Sequence, residues 1–105
     1  MLPGSSKGSD KRRGRIEIVA EILEATRKGA QKTQIMYQAG LSFSQLTYYI
    51  DILLKSGLIQ KFEKERRVLY KITSKGVQFL KCYKELERFL IKESEDAIVS
   101  INPQL

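Results

Sequence analysis

One stretch constrains this chain more than any other: residues 33–57, TQIMYQAGLSFSQLTYYIDILLKSG. It reads as two short helices joined by a tight turn at Gly40-Leu41-Ser42. Gly40 can adopt the left-handed backbone that ends a helix. Ser42 followed three residues on by Gln45 is a capping-box pattern for the next helix. Leu46, Ile50, Leu53 and Leu54, with Tyr49 beside them, then form one apolar face of a 3.6-residue period, and Gly57 supplies the stop. Such a pair with a glycine-bearing turn matches a helix-turn-helix unit, whose second helix can enter a DNA major groove. The plain alternative is an αα-hairpin in any small helical domain, so the flanking residues decide.

The flanks are basic. Nineteen Lys and Arg against twelve Asp and Glu leave a net charge of +7 in 105 residues. That favours a polyanionic partner, nucleic acid first and an acidic membrane second. The alternative is an ordinary small basic protein. The length allows one domain, with at most an appendage, and 42% hydrophobic with 30% charged residues fits a soluble globular protein with a modest core. A second subunit would help so small a core. No histidine and a single cysteine, Cys82, exclude a Ser-His-Asp triad, a Cys-His dyad, an intramolecular disulfide and a His- or Cys-based zinc site. Glu17, Glu21 and Glu24 lie at helix spacing on a solvated face, and no Gly-rich phosphate cradle is present. An enzyme is not expected, and neither is a cofactor, a metal or a small-molecule ligand. No apolar run approaches the roughly 18 residues of a membrane span, and the start lacks a signal peptide's apolar segment. No membrane partner is expected, and the expected location is cytoplasmic, associated with the nucleoid.

Residues 1–14 are rich in Gly, Ser, Lys and Arg and have almost nothing to bury, as in a disordered basic tail. Arg12, Arg13 and Arg15 could lie along phosphates or in a minor groove; a solubilising tail or an expression remnant is the bland alternative. Residues 15–28 read as a first helix, with Ile16, Val19, Ala20, Ile22 and Leu23 as its apolar stripe and Gly29 as its stop. Its acidic outer face suits DNA poorly. Residues 32–39 form the second helix, with Ile35, Met36 and Ala39 inward. Lys32, Thr33 and Gln34 sit at its start, where free amides and the dipole favour phosphate; Thr33 or Gln31 can also cap it. Residues 43–56 form the third helix, whose outward face carries Ser44, Gln45, Thr47, Tyr48, Asp51 and Lys55. These groups suit base edges and phosphates. No arginine lies on that face, although arginine to guanine is the commonest specific contact, so little sequence specificity is expected. Asp51 would repel phosphate, which leaves contact to the N-terminal half.

Residues 58–63 and 67–73 alternate with period two, as a half-buried hairpin requires. The connection, with Lys64, Glu65 and Arg66, lacks a tight-turn signal, and a loose tip is expected. A basic hairpin directly after a reading helix is a wing, with Lys64, Arg66 and Arg67 toward DNA; a plain core-closing hairpin is the alternative. Thr73 can cap a last helix running from residue 74 to beyond residue 92. Val77 and Leu80 suit the winged unit. Phe79, Tyr83, Leu86, Leu90 and Ala97, with Phe89 alongside, recur in a heptad-like stripe that a second copy could cover. The alternative is one amphipathic helix folded back on its own domain. Beyond the acidic cluster of Glu93, Glu95 and Asp96, the helix either continues to about residue 100 or frays.

The runs RIEIVAEILEAT, KTQIMYQAGLSFSQLTYYIDILLKSGLI and VLYKITSKGVQFL together resemble the winged helix-turn-helix proteins of archaea. Tyr70-x-Ile72-Thr73-x-Lys75-Gly76 followed by Phe79-Leu80 resembles that family's strand-to-helix junction. Lys32-Thr33-x-Ile35-Met36-Tyr37, with Leu41-Ser42 following, is similar to the small ten-kilodalton archaeal DNA-binding chromatin proteins. The resemblance implies a homodimer joined by an antiparallel coiled coil of the last helices. It also implies double-stranded DNA binding with little sequence preference, bridging or compacting the duplex. The basic tail is longer than that family's, and the apolar stripe is interrupted after Leu90.

The expected architecture is therefore mainly α. A basic tail (1–14) precedes a winged helix-turn-helix of three helices and a β-hairpin (15–76), followed by a long dimerisation helix (77–105). The expected function is dimeric, sequence-tolerant duplex binding. A site-specific transcription regulator of the same fold and a protein-interaction winged helix are its rivals.

Overall fold

The computed structural model of the chain describes residues 13–90. Their element order is α1 (Arg15–Ala25), α2 (Lys32–Ala39), α3 (Phe43–Lys55), β1 (Ile59–Lys64), β2 (Arg67–Ile72) and α4 (Ser74–Glu87). Arg12, Ala97 and the acidic cluster at 93–96 lie outside the described residues.

The helix-turn-helix forms as its sequence dictates. Gly40 closes α2 at φ 65°, a conformation that costs a residue with a Cβ about 1–2 kcal/mol. The capping box at α3 is reciprocal: Gln45 N donates to Ser42 Oγ at 3.2 Å, and Ser42 N donates to Gln45 Oε1 at 2.9 Å. Leu46, Tyr49, Ile50 and Leu53 bury the inner face of α3. They meet Ile35 and Ala39 of α2 and Ile18, Val19, Ala20, Ile22 and Leu23 of α1 in one core.

The first helix is shorter than its periodicity predicts. It stops at Ala25 because Thr26, fully buried, turns its Oγ1 back to Leu23 O at 2.9 Å. The Thr26 carbonyl then accepts from Gly29 N and Ile72 N at 3.1 and 3.0 Å. Ala30 next pairs with Tyr70 through two backbone hydrogen bonds of 2.9 and 2.8 Å. This third edge to the sheet is a tertiary pairing that no local pattern announces. The stripe of α1 is buried as expected at Val19, Ala20, Ile22 and Leu23 and differs at its start, where Ile18 is buried and Ile16 is exposed.

β1 and β2 pair antiparallel from Ile59 with Ile72 to Lys64 with Arg67. Strand bounds shift by one residue from the predicted hairpin, because Thr73 leaves the ladder to cap α4. The base is anchored by Ile59, Tyr70 and Ile72, all buried, while the outer half is exposed except for the half-buried pair Phe62 and Leu69. The tip is not loose. Glu65 and Arg66 turn it in two residues, with φ of 52° and 68°. Positive φ at both central positions is the twist-matched way to join antiparallel strands.

Thr73 ties three elements together. Its Oγ1 accepts from Gly76 N at 3.1 Å and donates to Gly57 O at 2.7 Å, and its N donates to Leu58 O at 3.0 Å. Lys75 Nζ adds a bond to Ser56 O at 2.8 Å. Leu80 is fully buried, so the first half of α4 belongs to the packed unit. Glu24 of α1 pairs with Arg27 at 2.7 Å and with Lys84 of α4 at 3.1 Å. The hydrogen bond from Arg27 is the main reason its carboxyl sits below the usual range, with Lys84 adding to it.

The last helix also departs from expectation. Regular α-helix ends at Glu87 rather than beyond residue 92. The amides of Arg88, Phe89 and Leu90 bond three residues back, to Glu85, Leu86 and Glu87, the tightened geometry common at helix ends. Phe79 and Tyr83 are half-buried against the chain's own core, so two of the stripe's members are already covered. Val77, expected to pack inward, is exposed. Leu86, Phe89 and Leu90 remain 61%, 82% and 68% exposed.

Candidate nucleic-acid interface

The outward face of α3 begins at its cap. Ser44, Gln45, Thr47, Tyr48, Asp51 and Lys55 are all exposed. Their availability differs, because local structure already uses part of the set. Gln45 turns its side-chain oxygen back to Ser42 N, which takes one of its two lone pairs and holds the amide against the cap. Bidentate recognition of adenine needs donor and acceptor presented together, so the cap competes with that contact. Gln34 at the start of α2 is held in the same way, its Oε1 accepting from Gln31 N at 2.8 Å. Thr47 Oγ1 donates to Phe43 O at 3.0 Å. Lys55 lies 3.1 Å from Asp51, so these two charges largely cancel at the C-terminal end of α3. The free polar groups concentrate in the N-terminal half.

Two cations come to this helix from elsewhere in the chain. Arg15, at the start of α1, donates to Tyr48 Oη and places its guanidinium 5.6 Å from the centre of the Tyr48 ring. Lys32, at the start of α2, holds its Nζ 5.9 Å from the Phe43 ring. Tyr48 in turn meets Tyr49 edge-to-face at 5.2 Å, which fixes its ring. The sequence shows no arginine on α3; the fold supplies one from 33 residues away.

Arg13 goes the other way. Its Nη1 donates to Ala39 O at 2.9 Å and to Glu21 Oε1, and its Nε is buried without a partner. This arginine fastens the entry of α1 to the end of α2, so its side chain is turned into the domain rather than toward solvent.

The start of α2 faces the hairpin across an open cleft of about 430 Å³, lined by Gln31, Lys32, Thr33, Lys61, Val68 and Tyr70. Lys61 is a cation that the sequence reading did not single out. Its signal is the register, which sets it opposite Tyr70 on the strand face toward α2. Tyr70 loses solvent there, and burial raises its phenol above the ordinary value. At the tip, Lys64, Arg66 and Arg67 are exposed. Among the described residues none of the three enters an ion pair.

A second cleft, of about 510 Å³, lies between the start of α1 and the end of α4, on Ile16, Glu17, Tyr83, Leu86, Glu87 and Leu90 with Gly14 and Arg15. Among the described residues, no group of three or more His, Cys, Asp or Glu could hold a metal ion, and no helix is long and apolar enough to cross a membrane.

Residues 12–90 match the family model described as winged helix-turn-helix. An uncharacterized protein of Methanocaldococcus jannaschii, MJ0287, is 36% identical over 76 residues, which span 71% of this chain and 74% of that one. The crystal structure of Sso10a-2, a DNA-binding protein from Sulfolobus solfataricus, is similar with a TM-score of 0.68 at 28% identity, covering 73% of this chain and 81% of that one. The transcriptional regulator BldR from the same organism shares the fold, with a TM-score of 0.66 at 24% identity over 91% of this chain and 79% of that one. With helix, helix-turn-helix, hairpin and closing helix in that order, the chain belongs to the winged helix-turn-helix family.

Proposed function

We propose that this protein is a dimeric double-stranded DNA-binding protein with low sequence specificity, of the chromatin or architectural kind. The observation that carries the reading is the pairing of a cationic hairpin tip, free of ion pairs among the described residues, with a helix-turn-helix whose reading groups are partly locked. Lys64, Arg66 and Arg67 offer charge that is in no ion pair among the described residues, and phosphate contacts from such a tip would position a protein without specifying sequence. The side-chain oxygens of Gln45 and Gln34 are each held by a cap hydrogen bond, which competes with base reading. In this reading α3 enters the major groove through Ser44, Gln45, Thr47 and Tyr48, and Lys32, Thr33 and Gln34 hold phosphates from the start of α2. Lys55 contributes less, because Asp51 neutralises it. Likeness to Sso10a-2, a DNA-binding protein, supports the assignment.

The dimer belongs to the same proposal. Ile16, Leu86 and Leu90 are exposed around one cleft and Phe89 is exposed next to Leu90 in the chain, and a second copy related by two-fold symmetry would cover them. An antiparallel pairing of the two C-terminal segments is the arrangement that the resemblance implies.

Replacing Arg66 and Arg67 with alanine tests the duplex reading. Binding by fluorescence anisotropy should weaken to a similar extent on unrelated duplex sequences; a loss confined to some sequences would contradict it. A site-specific regulator is the second reading, and Arg15 over Tyr48 favours it, since an arginine beside α3 is the residue type that reads guanine. Footprinting separates the two. A discrete palindrome with half-sites about one helical turn apart favours the regulator.

A further inference from the structure

Aromatic rings are distributed unevenly over this surface. Tyr49 and Tyr70 are buried, yet Tyr37, Phe43 and Tyr48 of the helix-turn-helix are exposed, Phe43 by 64% and Tyr48 by 49%. Phosphates make no use of a phenyl ring, and a stacked duplex offers it little beyond a thymine methyl group. Bases present their flat faces only when unstacked, and those faces stack on aromatic side chains whatever the base.

Two of the rings are each accompanied by a cation: Lys32 Nζ at 5.9 Å from Phe43 and the Arg15 guanidinium at 5.6 Å from Tyr48. A nucleotide carries a base one sugar away from a phosphate. A ring with a cation beside it offers a partner to both. Phe43 and Tyr48 are five residues apart, about 7.5 Å along the helix axis and about 140° around it, so the two units lie on different sides of the N-terminal half of α3 and each offers a separate stacking position. The edge-to-face contact with buried Tyr49 holds the Tyr48 ring in place, and a fixed ring loses less entropy on stacking.

We propose that the N-terminal half of α3, with Arg15 and Lys32, is also a binding surface for single-stranded DNA, on which unpaired bases stack against Phe43 and Tyr48. This activity goes beyond duplex binding and uses Phe43, a residue the duplex reading does not employ. It rests on the same basic face, so the test must separate failure of one from failure of the other.

Anisotropy titrations of the full chain at low salt, with an oligo(dT) of about 16 nucleotides and with a duplex of about the same length, provide that test. The unsubstituted protein should bind both. Phe43→Leu keeps an apolar group at this exposed position but removes the ring. It should weaken oligo(dT) binding by roughly five-fold or more and change duplex binding by less than about two-fold. Phe43→Trp should retain oligo(dT) affinity and, as the chain has no other tryptophan, report stacking directly. Its fluorescence should be quenched by oligo(dT) and not by duplex. Duplex binding without oligo(dT) binding would overturn this inference alone, as would oligo(dT) affinity or tryptophan emission indifferent to the ring. Failure to bind either probe would overturn the duplex reading as well.

Discussion

Glu65 and Arg66 both sit at positive φ, where glycine and asparagine are at ease and a longer side chain pays about 1 kcal/mol or more. Lys-Glu-Arg-Arg gives no turn signal, which is why a loose tip was the natural sequence reading. The strands impose the turn, since Lys64 pairs with Arg67 across two residues. Strain held at an exposed cationic tip fits a position kept for its charge. Glu65→Asn with Arg66→Gly should therefore raise stability by about 1 kcal/mol, a rise in Tm of roughly 4–8 °C by circular dichroism. The change removes one negative and one positive charge, so the net charge of the tip stays the same and the stability readout is not confounded by it. An unchanged Tm would show that the tip is relaxed. Gln45 is the converse case. Ser-x-x-Gln is legible in sequence as a cap, and the cap itself holds the Gln45 amide that would otherwise be free to meet a base edge.

At the scale of elements, the join between β2 and α4 sets the geometry of the face. Thr73 reaches Gly57, Leu58 and Gly76, and Lys75 reaches Ser56, so the end of α3, the hairpin base and the start of α4 move as one. A Cβ on Gly76 would lie 2.4 Å from the Leu58 carbonyl oxygen and 2.6 Å from Ile72 Cγ1. Backbone cannot retreat as a side-chain tip does. Gly76→Ala should cost about 2–3 kcal/mol despite alanine's better helix propensity, and thermal melting should show a fall in Tm of roughly 10 °C or more. An equal Tm would mean the junction is not close-packed. Elements with local signals were legible: Gly40 and Ser42 for the turn, period two for the hairpin, Thr73 for the last cap. What escaped depended on distant partners. Thr26 ends α1 early because Ile72 and Gly29 claim its carbonyl. Arg13 turns inward because Ala39 and Glu21 receive it. Arg15 joins α3 across 33 residues. The same distant pairing decides which basic residues face outward, so the sequence offers the residue types of the candidate site but not their arrangement.

On the scale of the whole molecule, the apolar cleft between α1 and α4 sits apart from the hairpin tip in its lining residues. Leu86 and Leu90 are exposed, so replacing both with glutamate should leave the protomer folded. Sedimentation should then show monomers whose circular dichroism is unchanged. A dimer that persists would place the subunit contact elsewhere. Loss of dimerisation should also weaken duplex binding, because two linked reading units bind more tightly than one.

The central claim is that this basic winged helix holds duplex DNA chiefly by its phosphates. Its most direct test is the affinity for a duplex of about 20 base pairs, measured by anisotropy over a series of sodium chloride concentrations. With about six to eight phosphates neutralised per dimer, log affinity should fall against log salt with a slope of roughly −5 to −7. A slope near zero would contradict the account.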